Sequence, residues 1–263
     1  MCIRDRGYAD KVGVFDMFFR KIPDDGGFAI AAGLEQFCQI IDNLHFSDED
    51  IAYLQSKGCF SQRFLDYLRN FQFHCTIWAV EEGTPIFPGE PIVIVEGPAI
   101  EAQLIETLLL VTFNHQSLIC TKTNRIVRAA KGRPIMEFGS RRAQGYDAAV
   151  LGARAAYIGG VVGTACVMAD RQYGIPALGT MAHSWVQMFP SEFEAFKRYA
   201  ELYPDNCIGL RRELQKPRRR GLPSRTPHES SVLCLCGRLP HDDQGNARPL
   251  KTICTAIILI LTF

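Results

Sequence analysis

The sequence shows no large excess of charge of either sign, no C-x-x-C pair and no apolar run long enough to cross a bilayer. Lys and Arg number 29 against 28 Asp and Glu, a formal net charge of +1. Overall charge therefore exerts no pull toward nucleic acid. The terminal "TAIILILTF" is nine residues long, where a spanning helix needs about 20. The opening "MCIRDRGYAD" carries charge but lacks the apolar centre of a secretory signal. The ten cysteines are scattered, and the one close pair, Cys234–Leu235–Cys236, has no paired histidines at ligand spacing. No metal centre is expected from that pattern. Free cysteine inside apolar helical patterns acts as a small hydrophobe, so the thiols read as reduced and the location as cytoplasmic.

What is present is ordinary for a globular chain: 263 residues, 47% hydrophobic and 22% charged. That length suits two modest domains or one large one. The charge is uneven. Residues 208–263 hold ten Lys/Arg against four Asp/Glu, which leaves nineteen basic and twenty-four acidic residues in 1–207. A mildly acidic body carries a basic tail.

Periodicity predicts the elements. Lys11–Pro23 reads as a strand. In "GGFAIAAGLEQFCQIIDNL", Ile30, Leu34, Phe37, Ile40, Ile41 and Leu44 recur at helical spacing. Ser47 and Asp50 form a capping-box-like start to the next helix, Gly58 ends it, and Ser61 is a candidate cap for another. Residues 71–98 hold short β-branched and aromatic runs broken by Glu-Gly, Pro-Gly and Gly-Pro, which predicts strands joined by tight turns. Residues 99–132 predict a long helix broken near Phe113–Gln116. From Arg133 the rhythm alternates. "RPIMEFGS" reads as a strand, "RRAQGYDAAVLGARAAYIGG" as a helix and Val161–Gly163 as a link. Thr164 is a cap for "ACVMADRQYG", "IPALGT" reads as a strand, and Ser191 with Glu194 opens a last helix. Alternating strand and helix points to parallel βα units. The fold class is α/β: an α+β N-terminal domain over 1–100, then over 101–207 a linking helix and the beginning of a βα barrel or sheet. Residues 208–263, dense in Arg and Pro with no sustained period, read as a disordered basic tail or as sequence out of its native frame.

Three stretches carry side chains suited to chemistry. In "MEFGSRRAQG", a strand ends at Phe138, Gly139 permits a sharp turn, and Arg141 and Arg142 follow at the start of a helix. Barrel active sites gather at the C-terminal ends of strands. Paired guanidinium forks there suit carboxylate or phosphate, and Phe138 could stack on a planar ring. An ordinary exposed arginine pair fits the same pattern. In "GTMAHSW", His183 lies three residues beyond Thr180; taken alone it reads first as a histidine satisfied by backbone, then as a base, a ligand or a nucleophile, and no partner ligand sits at helical or hairpin spacing. Lys122 and Arg125 lie one helical turn apart and add positive potential or a solvated face. If the two strands share one sheet, the arginines and His183 open on one rim, which would suit an anionic, phosphate-bearing substrate.

Taken in order, "ADKVGVFDMFFRKIP", "GGFAIAAGLEQ", "FPGEPIVIVEGP", "EFGSRRAQG", "GARAAYIGG" and "GTMAHSWVQMFP" resemble the nicotinate phosphoribosyltransferase family over about residues 8–207. The resemblance implies a type II phosphoribosyltransferase fold, an α+β N-terminal domain followed by an irregular α/β barrel that is incomplete over 101–207. It implies an enzyme that joins nicotinate to phosphoribosyl pyrophosphate with coupled ATP hydrolysis, forming nicotinate mononucleotide at the entry of nicotinate salvage to NAD. By that resemblance His183 is the histidine that ATP phosphorylates, and Thr180 contacts nicotinate. Phe138, Arg141 and Arg142 line the substrate pocket, with Ser184 beside them. Mg²⁺ and ATP are the implied cofactor and co-substrate. No nucleic acid or membrane partner is expected, and family active sites at dimer interfaces allow a homodimer.

The two ends depart from the family. "MCIRDR" stands where the family has an Asp-Leu-Tyr segment, so residues 1–6 are expected to be non-native. "IGLRRELQKPRRRGL" does not match the strand and Gly-rich phosphate-binding turns expected after "YPDNC", which points to a frameshift near Cys207–Ile208. The alternatives are a related phosphoribosyltransferase acting on nicotinamide or quinolinate, and a catalytically dead fragment. A lipoyl-like carrier would need a modifiable lysine at a hairpin tip, and none lies in 81–98.

Overall fold

Strand β1 (Val12–Met17) opens the part of the chain that the computed structural model describes: residues 11–179 and 182–203, and the backbone of three short strands in 209–259. The chain divides into two units, Met1–Asn124 and Arg125–Phe263, described separately below.

The first unit contains β1, β2 (Ala29–Ile30), α1 (Leu34–Asp42), α2 (Asp48–Ser56), α3 (Gln62–Arg69), β3 (Thr76–Ala79), β4 (Pro85–Ile86) and β5 (Val93–Pro98). The long helix α4 (Ala99–Ala129) runs out of it. β1, β5 and β3 form an antiparallel sheet with β5 in the centre, in a register that sets Phe15 opposite Val95 and Val95 opposite Ile77. Period-two alternation turns Val93 and Val95 into the core, while Glu96 faces outward. The main core joins these residues to Phe37, Ile105, Leu109 and Phe113, with Phe37 and Phe113 in edge-to-face contact at 6.4 Å. A second cluster gathers Ile51, Phe64, Leu65 and Leu68 against Ile100.

The caps fall where the sequence puts them. Ser47 and Asp50 form a reciprocal capping box, and the Ser47 bonds hold the Asp50 carboxyl below its usual range. Ser61 accepts from the Phe64 amide.

Two expectations fail here, for one reason. The helix expected from the start of "GGFAIAAGLEQ" begins only at Leu34; Ala29–Ile30 form β2, and residues 29–33 are buried. Their backbone groups need partners. The Ala31 amide donates to the Thr84 carbonyl at 2.9 Å, and α4 serves Ile30 and Ala32. The Thr121 hydroxyl accepts the Ile30 amide at 2.9 Å. Ser117 Oγ accepts the Ala32 amide and donates to the Ala32 carbonyl, both at 3.0 Å. Gln116 donates to Gln36 at 2.6 Å. The polar "FNHQS" that looked like a helix break is this interface, and α4 runs unbroken through it. Gly33 turns the chain into α1 at φ +114°, where an added Cβ would lie 2.8 Å from the Thr112 carbonyl oxygen.

The second unit holds β6 (Ile135–Glu137), a 3-10 turn over Gly139–Arg142, α5 (Tyr146–Ile158), β7 (Gly163–Thr164), α6 (Val167–Tyr173), α7 (His183–Gln187) and α8 (Glu192–Leu202). The backbones of β8 (Gly209–Arg211) and β9 (Leu233–Leu235) pair antiparallel, and that of β10 (Ile257–Leu259) runs parallel to β6. The remainder of the tail and all of its side chains, those of Cys234 and Cys236 included, lie outside the described residues. β6 and β7 are parallel, and Thr164 forms a parallel bridge to Ala177. The expected strand "IPALGT" is thus reduced to one bridge. Thr164 is a strand residue rather than a cap, and α6 has Cys166 at its N-cap with no side-chain capping bond. Gly163 allows the close approach of the next segment, since a Cβ there would lie 2.6 Å from the Pro176 carbonyl oxygen. Val150, Ala153, Ala169 and Ile175 form the core, and Arg154 lies over the Tyr173 ring at 5.5 Å. At the last helix, Ser191 accepts from the Glu194 amide as a cap.

Because Ser117 satisfies both polar groups of Ala32, Ser117→Ala is expected to lower unfolding free energy by about 1–3 kcal/mol. The neighbouring Leu118→Ala, on the exposed face, should stay within about 0.5 kcal/mol. Urea unfolding of both variants checks this, and equal effects would contradict the role given to Ser117.

Candidate active site

The parallel register of β6, β7 and the Ala177 bridge puts three strand ends at one edge of the sheet. Leaving that edge are Phe138 and the Gly139–Arg142 turn after β6, Ala165 and Cys166 after β7, and Leu178–Gly179 after the bridge. In a parallel sheet this is where the βα loops converge and where functional side chains collect. The strands thus share one sheet, and the local form of the arginine segment differs from the helix start expected. Arg141 and Arg142 sit in the 3-10 turn, and α5 starts only after Gly145, at φ +112°. Arg141 and Arg142 are exposed on this turn, and Phe138 before it is half-buried. His183 and Ser184 are the first two residues of the short α7, and both are exposed. Thr180 lies outside the described residues. Lys122 is exposed on α4 in the first unit.

Sequence reasoning missed the groups beneath this edge. Glu137 is only 3% exposed and Thr164 is fully buried. Glu137 Oε1 accepts the Gly139 amide, and Oε2 accepts the Thr164 hydroxyl at 2.6 Å. Thr164 Oγ1 in turn accepts the Cys166 amide at 3.0 Å. A carboxylate in the apolar run "PIMEF" was the available signal, because a buried charge must find donors. Ser140 Oγ, in the same turn, is buried without a hydrogen-bond partner among the described residues.

Among the described residues no cluster of three or more His, Cys, Asp or Glu could hold a metal, and no helix is long and apolar enough to cross a membrane. A second polar group lies in the first unit. The buried Glu101 carboxylate accepts the His74 amide at 2.6 Å and faces the Cys75 thiol at 3.9 Å. Burial, reinforced by the Glu101 charge, pushes the Cys75 thiol up to about 11. A thiol so protonated is a poor nucleophile at neutral pH.

Two family models match the chain. The nicotinate phosphoribosyltransferase N-terminal domain covers residues 2–114, and the nicotinate phosphoribosyltransferase family model covers 134–201. The chain belongs to the nicotinate phosphoribosyltransferase family. It is 48% identical over 195 residues to the nicotinate phosphoribosyltransferase pncB2 of Mycobacterium tuberculosis, covering 74% of this chain and 42% of that protein. It is 42% identical over 204 residues to the nicotinate phosphoribosyltransferase of Bacillus subtilis, covering 78% and 41%. The crystal structure of human nicotinic acid phosphoribosyltransferase superimposes with a TM-score of 0.67 at 34% identity, covering 72% of this chain and 38% of that one. This family member thus spans about two fifths of the length of the curated relatives it matches. The second model reaches the strand-end turn, the Glu137–Thr164 pair and His183.

The Cys75 thiol sets a pH test. Its alkylation by iodoacetamide, followed by peptide mass spectrometry, is expected to keep rising until the pH passes about 11. A rate that levels off near pH 8 would contradict the burial and the Glu101 contact.

Proposed function

We propose that this chain carries the nicotinate-binding and leaving-group side of a nicotinate phosphoribosyltransferase. In that reaction the pyridine nitrogen of nicotinate bonds to C1 of the ribose. The C1–oxygen bond to pyrophosphate breaks, and nicotinate mononucleotide and pyrophosphate leave. The observation that supports the reading is the shared sheet edge, from which the Phe138–Arg142 turn and the segment leading to His183 both emerge.

The physical demands match the residue types. Breaking the C1–oxygen bond leaves positive character on the ribose and concentrates negative charge on the departing pyrophosphate. Arg141 and Arg142 offer planar, permanently charged donor forks for it. Phe138 presents a ring face to the pyridine, and Thr180 and Ser184 supply hydroxyl donors. His183 takes the γ-phosphoryl group of ATP. Its phosphorylated form promotes productive substrate binding and couples ATP hydrolysis to the reaction, without attacking the ribose itself. Mg²⁺ finds no carboxylate cluster among the described residues. It would arrive chelated by phosphate oxygens, as this ion commonly does, and no step here is assigned to it. The five described cysteines are thiols rather than disulfides, which suits a reducing cytoplasm.

The test is an assay of the purified chain with phosphoribosyl pyrophosphate, ATP and Mg²⁺ against nicotinate, nicotinamide and quinolinate in turn. Nicotinate mononucleotide formation is the expected result, and turnover of either other base in preference to nicotinate would overturn the reading. Acid-labile labelling from γ-phosphate-labelled ATP is expected on the chain and should vanish in His183→Ala. Labelling that survives this substitution would remove His183 from the mechanism.

A further inference from the structure

Glu137 carries out none of the steps above, yet it is a buried carboxylate directly beneath the turn that bears both arginines. Its two oxygens are divided between neighbouring strand ends. One takes the Gly139 amide, the first residue of the arginine turn; the other takes the Thr164 hydroxyl at the end of β7. Thr164 Oγ1 also holds the Cys166 amide at 3.0 Å, and the Thr164 carbonyl accepts the Leu178 amide at 2.8 Å. One hydrogen-bonded chain therefore joins the loops after β6, after β7 and after the Ala177 bridge.

We infer that Glu137, acting through Thr164, is a positioning residue that clamps the Gly139–Arg142 turn so that Arg141 and Arg142 meet a pyrophosphate group in one geometry. The inference rests on the reading of this edge as the site for phosphoribosyl pyrophosphate. Its physical basis is the difference between holding and merely bearing the arginines. The turn is four residues long and exposed at its tip, so its own contacts do little to fix it. The carboxylate is itself in β6, is surrounded by protein and is bonded to Thr164 of the neighbouring strand, so the Gly139 amide is tied to a fixed point. A preorganised donor pair loses less freedom when an anion arrives.

Three variants of the full chain test this: Thr164→Val, which keeps shape and loses the hydroxyl; Thr164→Ser, which restores it; and Glu137→Gln, which keeps volume and one acceptor oxygen. Three quantities are read: the melting temperature, the rate of trypsin cleavage after Arg141 and Arg142 relative to Lys57, and the Kd for pyrophosphate with Mg²⁺ by calorimetry. Thr164→Val and Glu137→Gln are expected to speed cleavage at the arginine turn and raise the pyrophosphate Kd by about tenfold. Thr164→Ser should return both to the wild-type values. A folded Thr164→Val or Glu137→Gln protein with an unchanged Kd overturns the inference, since a merely structural contact would lower only the melting temperature. Should Thr164→Val fail to fold, the Glu137→Gln values decide. If the wild-type chain binds no pyrophosphate, the functional reading fails by itself. The clamp then stands or falls on the cleavage rates, with unchanged cleavage in both variants refuting it.

Discussion

Thr164 is the junction on which the second unit depends. Its amide donates to the Pro176 carbonyl at 3.0 Å, its carbonyl accepts the Leu178 amide at 2.8 Å, and its hydroxyl donates to Glu137 at 2.6 Å. A parallel sheet has no hairpin to fix its register. Register must come from packing and from contacts of this kind. Here one small, fully buried residue ties a strand to the segments on both sides, and Gly163 before it lets the neighbouring backbone come close. The ends of all three segments are thereby levelled at one edge, and the aromatic ring, the arginine turn and the chain leading to the histidine emerge from that edge.

The first unit solves a comparable problem with helix side chains. Residues 29–33 are buried, and α4 meets Ile30 and Ala32 with Thr121 and Ser117 in place of apolar residues. Burying such a segment against a wholly apolar helix would leave amides and carbonyls unpaired, at a cost of about 1–3 kcal/mol each. The polar stripe explains how a 31-residue helix carries buried Gln, Ser and Thr without a break. Phe37 and Phe113 then close the apolar core beside it.

Much of the local structure could be read directly. Ser47, Ser61 and Ser191 cap helices because a hydroxyl and the amide three residues on lie within reach whatever the rest of the chain does. The strands of residues 71–98 were legible from their Gly and Pro punctuation. The errors share a different origin. The apolar spacing at Ile30 fits a helix, but the partner that holds it extended lies 91 positions away. The break expected in α4 and the cap expected at Thr164 fail in the same way, since each assigned to local structure a polar side chain that is used at long range.

Sequence alone determined the family, the fold class and the candidate chemistry, because these rest on residue types in order: a ring, a glycine turn, paired arginines and a histidine after the next strand. It also determined the helix caps, which close over four residues. Only the tertiary structure decided that these groups leave one sheet edge, that the arginines ride on a 3-10 turn, and that Glu137 and Thr164 join the loops beneath them. Those outcomes depend on donors and acceptors brought together from distant parts of the chain, and a buried polar group reveals its purpose only when its partner is in place.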